Sequence, residues 1–385
     1  MRDLVRSAVK CVRWFLPALL LVALPSFAQT NTPTAPPPAA IAPAADAAQK
    51  PPETAPKPAE PAPKPPDVMK GLLAEVYAHN TLAYQPGPYH LLASFETFDA
   101  SGAPAGSGSI EKFFAAQGRM KVITRFRGHT MTAWHAGERP VYTDDGFDGT
   151  IMSYLAGDFL LTPLPPPLGI ARQDMETSVM QQDGANGKTL DCGMYELFVS
   201  PSGMPPAPKE TYCVARGTHD LVLRQTQYFS IQYEQFEPVL GRSIPRSIVA
   251  TQGAGAQGTV VRCRIHVEKV DEQALDDAAF TPPADASPVS PAPEWVSLNP
   301  KERTPLHKVT PDWPPDVKAS AIGPVSLRYV ISRTGTIKDV EVAYAPSPEF
   351  AQAAIAAVKQ WTYAPILRRD KPVEVMTSIV LSFGH

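Results

Sequence analysis

Proline is distributed along this chain so that it can fold only in pieces. The 385 residues include 44 prolines, over twice the average of roughly 5%. They cluster: residues 29–66 hold thirteen Pro and eleven Ala, and no aromatic occurs between Ala28 and Val76. Such a run buries too little apolar surface to offset its ordering entropy. It favours extended polyproline and could reach about 120 Å at roughly 3.1 Å per residue. A second Pro-rich stretch covers 282–304. These breaks predict a leader at 1–28, a linker at 29–66, a β-rich domain at 67–281, a linker at 282–304 and a small domain at 305–385.

Charge follows the same divisions. Residues 1–66 carry seven Lys/Arg and four Asp/Glu, residues 67–300 carry 17 and 26, and residues 301–385 carry 11 and 8. The net values of +3, −9 and +3 mark distinct modules. No polybasic block points to nucleic acid, and no set of long apolar runs points to a multi-pass transporter.

The first 28 residues read as a secretory signal. Arg2, Arg6, Lys10 and Arg13 precede an apolar stretch at 14–27, and Ser26-Phe27-Ala28 suits cleavage before Gln29. The expected location is therefore the periplasm. The alternative is a single uncleaved inner-membrane anchor, for which the apolar run of about 15 residues is short. Oxidising compartments permit disulfides. Two strands, 194–200 and 210–216, are expected around the Ser202-Gly203 and Pro-rich turn, and with a midpoint near 202–203 Cys192 and Cys213 would face each other across the hairpin. Three free thiols, with Cys263, remain the alternative, since sequence does not fix register.

Asp67 can cap a helix to about Ala83, with Met69, Leu72, Leu73 and Val76 on one stripe. Strands are expected at 89–98, 108–116, 119–127, 129–135 and 139–143, then at 194–200, 210–216, 220–230, 244–252 and 258–270. The stretch 147–180 reads as irregular. One helix and many antiparallel strands predict an α+β domain with a curved sheet wrapped around that helix. The last 80 residues read β-β-α-β. Val325, Leu327, Tyr329 and Ile331 alternate, Val340, Val342 and Tyr344 follow, and Pro348 opens a helix with Phe350, Ala353, Ala354, Ala357, Val358 and Trp361 on one face. Val373, Val375, Thr377, Ile379, Leu381 and Phe383 alternate along a final strand.

This tail resembles the TonB C-terminal domain family. The likeness rests on an ordered set over about 305–384: Trp313-Pro314, Gly323 with Val325-Ser326-Leu327, Gly335 through Val340, Phe350 with the Ala-rich helix, Trp361-Thr362-Tyr363-Ala364-Pro365, and a strand ending at Phe383. The resemblance implies a non-enzymatic periplasmic domain that contacts an outer-membrane TonB-dependent receptor, whose short segment adds to the last strand. Val373, Glu374, Val375, Met376, Thr377, Ser378, Ile379, Val380 and Leu381 are the expected partner-binding residues. A small sheet covered by a helix on one face leaves open edges for such addition. Glu374 and Lys371 could instead blunt the edge, or it could pair with a second copy. Trp313, Trp361 and Tyr363 read as core. The resemblance also implies inner-membrane motor proteins as partners, but the N-terminal apolar segment has no His for a motor contact.

The middle region resembles the LolA-like lipoprotein-carrier fold. The likeness lies in its amphipathic helix and long meander, in Tyr212-Cys213-Val214 with Leu221-Val222-Leu223-Arg224, in Gly241-Arg242-Ser243-Ile244-Pro245, and in Phe280-Thr281-Pro282-Pro283. It implies an antiparallel half-barrel whose concave face could hold a lipid or acyl chain, which makes a carrier or sensor the alternative function. A packed interior is equally compatible. Nothing nominates a metal, a cofactor or catalysis. The eight His are scattered, the acidic Gly-rich run 144–149 lacks calcium-loop spacing, the Gly repeats at 106–109 and 253–256 do not open helices, and GxSxG is missing.

Overall fold

The computed structural model describes residues 68–382, apart from 83–86, 116–117, 136–138, 165–179, 184–188, 197–208, 227, 254–258, 274, 296–297, 300, 303, 313 and 315–322. The expected leader, the first linker and Trp313 lie outside the described residues.

The chain starts with helix α1 (Val68–Asn80) and five strands, β1 (Tyr89–Phe98), β2 (Pro104–Phe114), β3 (Met120–Phe126), β4 (His129–His135) and β5 (Val141–Asp144). Helix α2 (Ile151–Leu161) follows. Then come β6 (Met180–Asp183), β7 (Thr189–Glu196), β8 (Lys209–Ala215), β9 (Leu221–Gln225), β10 (Ser230–Val239), β11 (Arg242–Gly253) and β12 (Thr259–Asp271). Among the described residues these twelve strands form one antiparallel sheet in the order β5-β4-β3-β2-β1-β12-β11-β10-β9-β8-β7-β6. The first and last strands meet at its centre, where His90 pairs with Asp271 and Thr97 with Cys263.

One apolar core joins strands from β3 to β8 with both helices. Leu73, Val76 and Tyr77 come from α1, and Met152, Ala156 and Phe159 from α2, packed with Phe95, Phe126, Tyr212, Ile231 and Ile265. Strands that far apart share one core only if the sheet curls around the helices, as expected. The inward side is packed: Leu73, Val76 and Ala156 have no exposed surface. Arg224 ties α2 to the sheet from within. It donates to Glu210 at 3.2 Å and to the Thr162 carbonyl at 3.3 Å, and it pairs with Asp158 at 3.4 Å.

Three expectations need correction. Residues 147–180 are not simply irregular, because they contain α2. Thr150 caps it, its hydroxyl accepting from the Ser153 N–H at 3.2 Å. Apart from Ser153 and Asp158 the helix is apolar nearly all round, so its amphipathic signal is weak. The expected strand 220–230 is β9 followed by a turn, and β10 was missed. Gln235, at φ 56° inside β10, interrupts its extended backbone. The strand expected at 194–200 lies five residues earlier, as β7. The disulfide stands even so. Cys192 pairs with Cys213 across β7 and β8, their numbers summing to 405, so the hairpin centres between 202 and 203.

The C-terminal region begins with β13 (Glu294–Trp295). It continues through β14 (Pro324–Ile331), β15 (Ile337–Tyr344), helix α3 (Pro348–Val358), the short β16 (Leu367–Arg368) and β17 (Lys371–Pro372), and β18 (Val375–Ser382). The sheet order is β13-β18-β14-β15, four strands where three were expected. Ser347 caps α3, its hydroxyl accepting from the Phe350 N–H. The helix stops at Val358, three residues before Trp361. Phe350, Ala354 and Val358 face Val325, Leu327, Tyr329 and Ile331. Trp361 and Tyr363 are core residues. The Trp361 Nε1–H donates to the Val309 carbonyl at 2.8 Å, and the Tyr363 and Tyr329 hydroxyls lie 2.7 Å apart.

Gly335 makes the turn between β14 and β15. Its φ is 84°, and an added Cβ would lie 2.0 Å from the Tyr363 carbonyl oxygen. The Tyr363 N–H donates back to the Gly335 carbonyl at 2.8 Å. Among the described residues no helix is long and apolar enough to cross a membrane.

Candidate partner-binding edge

β18 combines branched apolar residues with Thr377, Ser378 and Ser382, and from Thr377 its burial alternates as in a half-buried pleated strand. All eight of its residues pair antiparallel with β14, from Val375 with Ile331 to Ser382 with Pro324, without a register shift. Val375, Ile379 and Leu381 face the α3 side, where they join the core. Met376 points to the other face, and Val380 is 63% exposed.

The nine expected partner-binding residues fall into four groups. Val373 is core, 1% exposed, and its N–H donates to the Ile366 carbonyl at 2.9 Å. Glu374 is held by Lys338 at 2.9 and 3.2 Å. Burial opposes the charge on Lys338, yet Asp148 and Glu374 together keep its pKa above the ordinary value. Val375 and Met376 have a neighbour on the outer edge, since β13 runs parallel to β18 and pairs with both. The remaining residues, Thr377, Ser378, Ile379, Val380 and Leu381, have no strand on the outer edge among the described residues.

Backbone polarity fixes which groups point outward. The Glu294 N–H donates to the Glu374 carbonyl at 3.0 Å. Successive residues of a strand direct their N–H and C=O groups to opposite sides. Met376, Ser378, Val380 and Ser382 therefore face outward, whereas Val375, Thr377, Ile379 and Leu381 bond to β14. Beyond β13, among the described residues, the unpaired outward groups belong to Ser378, Val380 and Ser382. Between Val375 and Ser382 there is no charged residue and no proline, and the β14 ladder contains no bulge. Sheet edges are normally protected by such devices.

The sheet face away from α3 is covered by the β-rich domain. Ile151 and Leu155 of α2 pack with Val330 and Met376. The Ile151 N–H donates to Asp339 Oδ2 at 2.8 Å, so the tail supplies a carboxylate to the first turn of α2. Arg262, 1% exposed, pairs with Glu341 at 2.8 Å and donates to the Phe98 carbonyl at 3.1 Å and to Gln252. Gln252 in turn donates to the Val342 carbonyl at 2.5 Å. Burial pushes the Glu341 carboxyl above its ordinary pKa, with Arg262 pulling the other way. The Arg328 guanidinium lies 4.2 Å from the Tyr228 ring centroid and 5.5 Å from that of Phe229.

Sequence reading missed β13 and this interface. A signal for β13 was present: Trp295 and Leu298 are large apolar residues in a stretch otherwise composed as a linker. The Arg262–Glu341 pair had none, because its partners are 79 positions apart.

Residues 311–384 match the family described as the Gram-negative bacterial TonB protein C-terminal. This part of the chain is a TonB C-terminal domain, which implies energy transduction to outer-membrane receptors. A search of curated proteins found no match. Among solved structures, the β-rich domain is similar to a LolA superfamily protein from Nitrosomonas europaea, at 12% identity over 55% of this chain and 97% of that one, with a TM-score of 0.37. It is also similar to an outer membrane lipoprotein-sorting protein domain from Vibrio parahaemolyticus, at 10% identity over 55% and 95%, TM-score 0.38. A third is a DUF1329 family protein from Desulfovibrio piger, at 10% identity over 56% and 96%, TM-score 0.38. At these scores the likeness carries no functional argument.

Proposed function

We propose that this protein works in the periplasm as a TonB-like component that contacts an outer-membrane receptor by β-strand addition along β18, in support of transport across the cell envelope. One observation carries this reading: among the described residues, 377–382 present unpaired backbone on an edge without charge, proline or bulge. Main-chain hydrogen bonds would supply affinity, and the side chains beside Val380 would supply selectivity. Six residues span about 20 Å, enough for a short receptor segment. In this reading the signal is removed after residue 28 and residues 29–66 form a tether. The Cys192–Cys213 disulfide fits an oxidising compartment.

The test compares two prolines in the full chain. Ser378→Pro removes an outward N–H and leaves the β14 ladder intact. Ile379→Pro removes an inward one and should unfold the tail. Immobilised wild-type protein should retain receptors from host outer-membrane extracts, and the Ser378→Pro protein should not, although its circular dichroism and melting point are unchanged. Retention by a folded Ser378→Pro variant would refute the proposed edge.

A further inference from the structure

Residues 287–298 have the composition of a linker but are pinned at three places. At one end Ser287 and Tyr142 exchange backbone hydrogen bonds at 2.8 Å in both directions, which fastens the stretch to β5. At the other end Leu298 is 3% exposed within the core of the C-terminal domain, and Val289 packs against the same core. Between these anchors Glu294 and Trp295 lie on the outer edge of β18.

This strap occupies the very edge assigned to the partner. It covers Met376, one of the four outward-facing residues of β18, and its Glu294 N–H consumes the Glu374 carbonyl. It is also a weak fixture. Among the described residues only Glu294 and Trp295 pair, and Pro293 directly precedes them. The next residue upstream to face β18 would be Ala292, and its N–H donates instead to Ser290 Oγ at 3.1 Å, so the ladder does not extend that way.

We propose that the strap is a built-in competitor for the docking edge. It confines a short visiting strand to residues 377–382, and a longer visitor gains Met376 only by peeling β13 away. The idea rests on the strand-addition reading above, and it adds a length-dependent control to that site. A free edge would favour long segments over short ones. An edge carrying the strap discriminates against the extra length.

The test uses the full chain and two labelled peptides with Gly-Lys ends, one with a core of six alternating Val and Thr residues and one with eight. The variant is Glu294→Pro, which deletes the donor of β13. For the eight-residue probe we expect binding roughly tenfold tighter in Glu294→Pro than in wild type, the worth of one or two backbone hydrogen bonds. For the six-residue probe the two proteins should agree. Amide exchange in wild type gives a second readout that needs no variant: the eight-residue probe should speed exchange at Glu294, and the six-residue probe should not. Equal affinities for the long probe, with Ser378→Pro abolishing both, would overturn the strap proposal and leave the docking edge standing. Failure of both probes to bind any protein would overturn the two together.

Discussion

Glu341→Ala tests whether the β-rich domain and the tail are tied into one folding unit. Glu341 and Arg262 are joined at 2.8 Å, with side chains 10% and 2% exposed. Removing one member of a buried pair costs about 3–5 kcal/mol, mainly because the other charge is stranded. Arg262 keeps Gln252 and the Phe98 carbonyl, so the lower end applies, about 3 kcal/mol. Urea unfolding followed by tryptophan fluorescence and circular dichroism measures it. Wild type should unfold in one transition, and the variant should unfold earlier or in two steps. Restoring packing without charge, in Arg262→Met/Glu341→Leu, should recover most of the loss. A Glu341→Ala midpoint shift worth under about 1 kcal/mol would mean that water reaches the pair, and the tie would be refuted.

Other outcomes follow from single residues. Gly335→Ala should destabilise the tail by over 1 kcal/mol or so, since it combines a strained φ with a backbone clash; thermal melts check it. Ile379→Asp should unfold the tail and, by leaving Arg262 and Ile151 without their tail partners, destabilise the β-rich domain with it, as read from NMR peak dispersion. Cys192→Ser should cost about 3 kcal/mol through the freed loop of some 20 residues, and reduction of wild type should match it in urea titrations. Burial, aided by the Lys112 charge, lowers the pKa of His135 from 6.5 to about 4. Its neutral form is favoured in the fold, so its contribution is full above pH 6.5 and is lost as pH falls through 4. His135→Gln should therefore lose less stability than wild type between pH 7 and pH 4.5.

Periodic elements with one wet face were legible in the sequence. β1, β3 and β4 lie within a residue or so of their expected bounds, and the tail's β-β-α-β order was readable from its alternation. The Cys192–Cys213 pairing was anticipated from the hairpin, but its register was not fixed, since β7 lies about five residues earlier than expected. Elements with no wet face were not legible. α2 packs on the large sheet through Met152 and Phe159 and on the tail through Ile151 and Leu155, so its polarity shows no period. β13 failed for another reason: two residues carry no periodicity at all, and its flanking prolines argued for a linker. At the candidate site, the residues of β18 were readable, but their division between core, ion pair, strap and open edge depends on chain segments distant in sequence.

The meeting of β1 with β12 has a mechanical side. Because the two run antiparallel, the chain enters the sheet at Tyr89 beside the place where it leaves at Asp271. A pull applied between Val68 and the tail would reach both strands at the same end. It would load their ladder as a zipper, one rung at a time from His90 and Asp271 inward, not all rungs in shear. Under tension the domain would be loaded at two places, the Ser287–Tyr142 bonds on the β5 rim and the seam at the middle of its sheet.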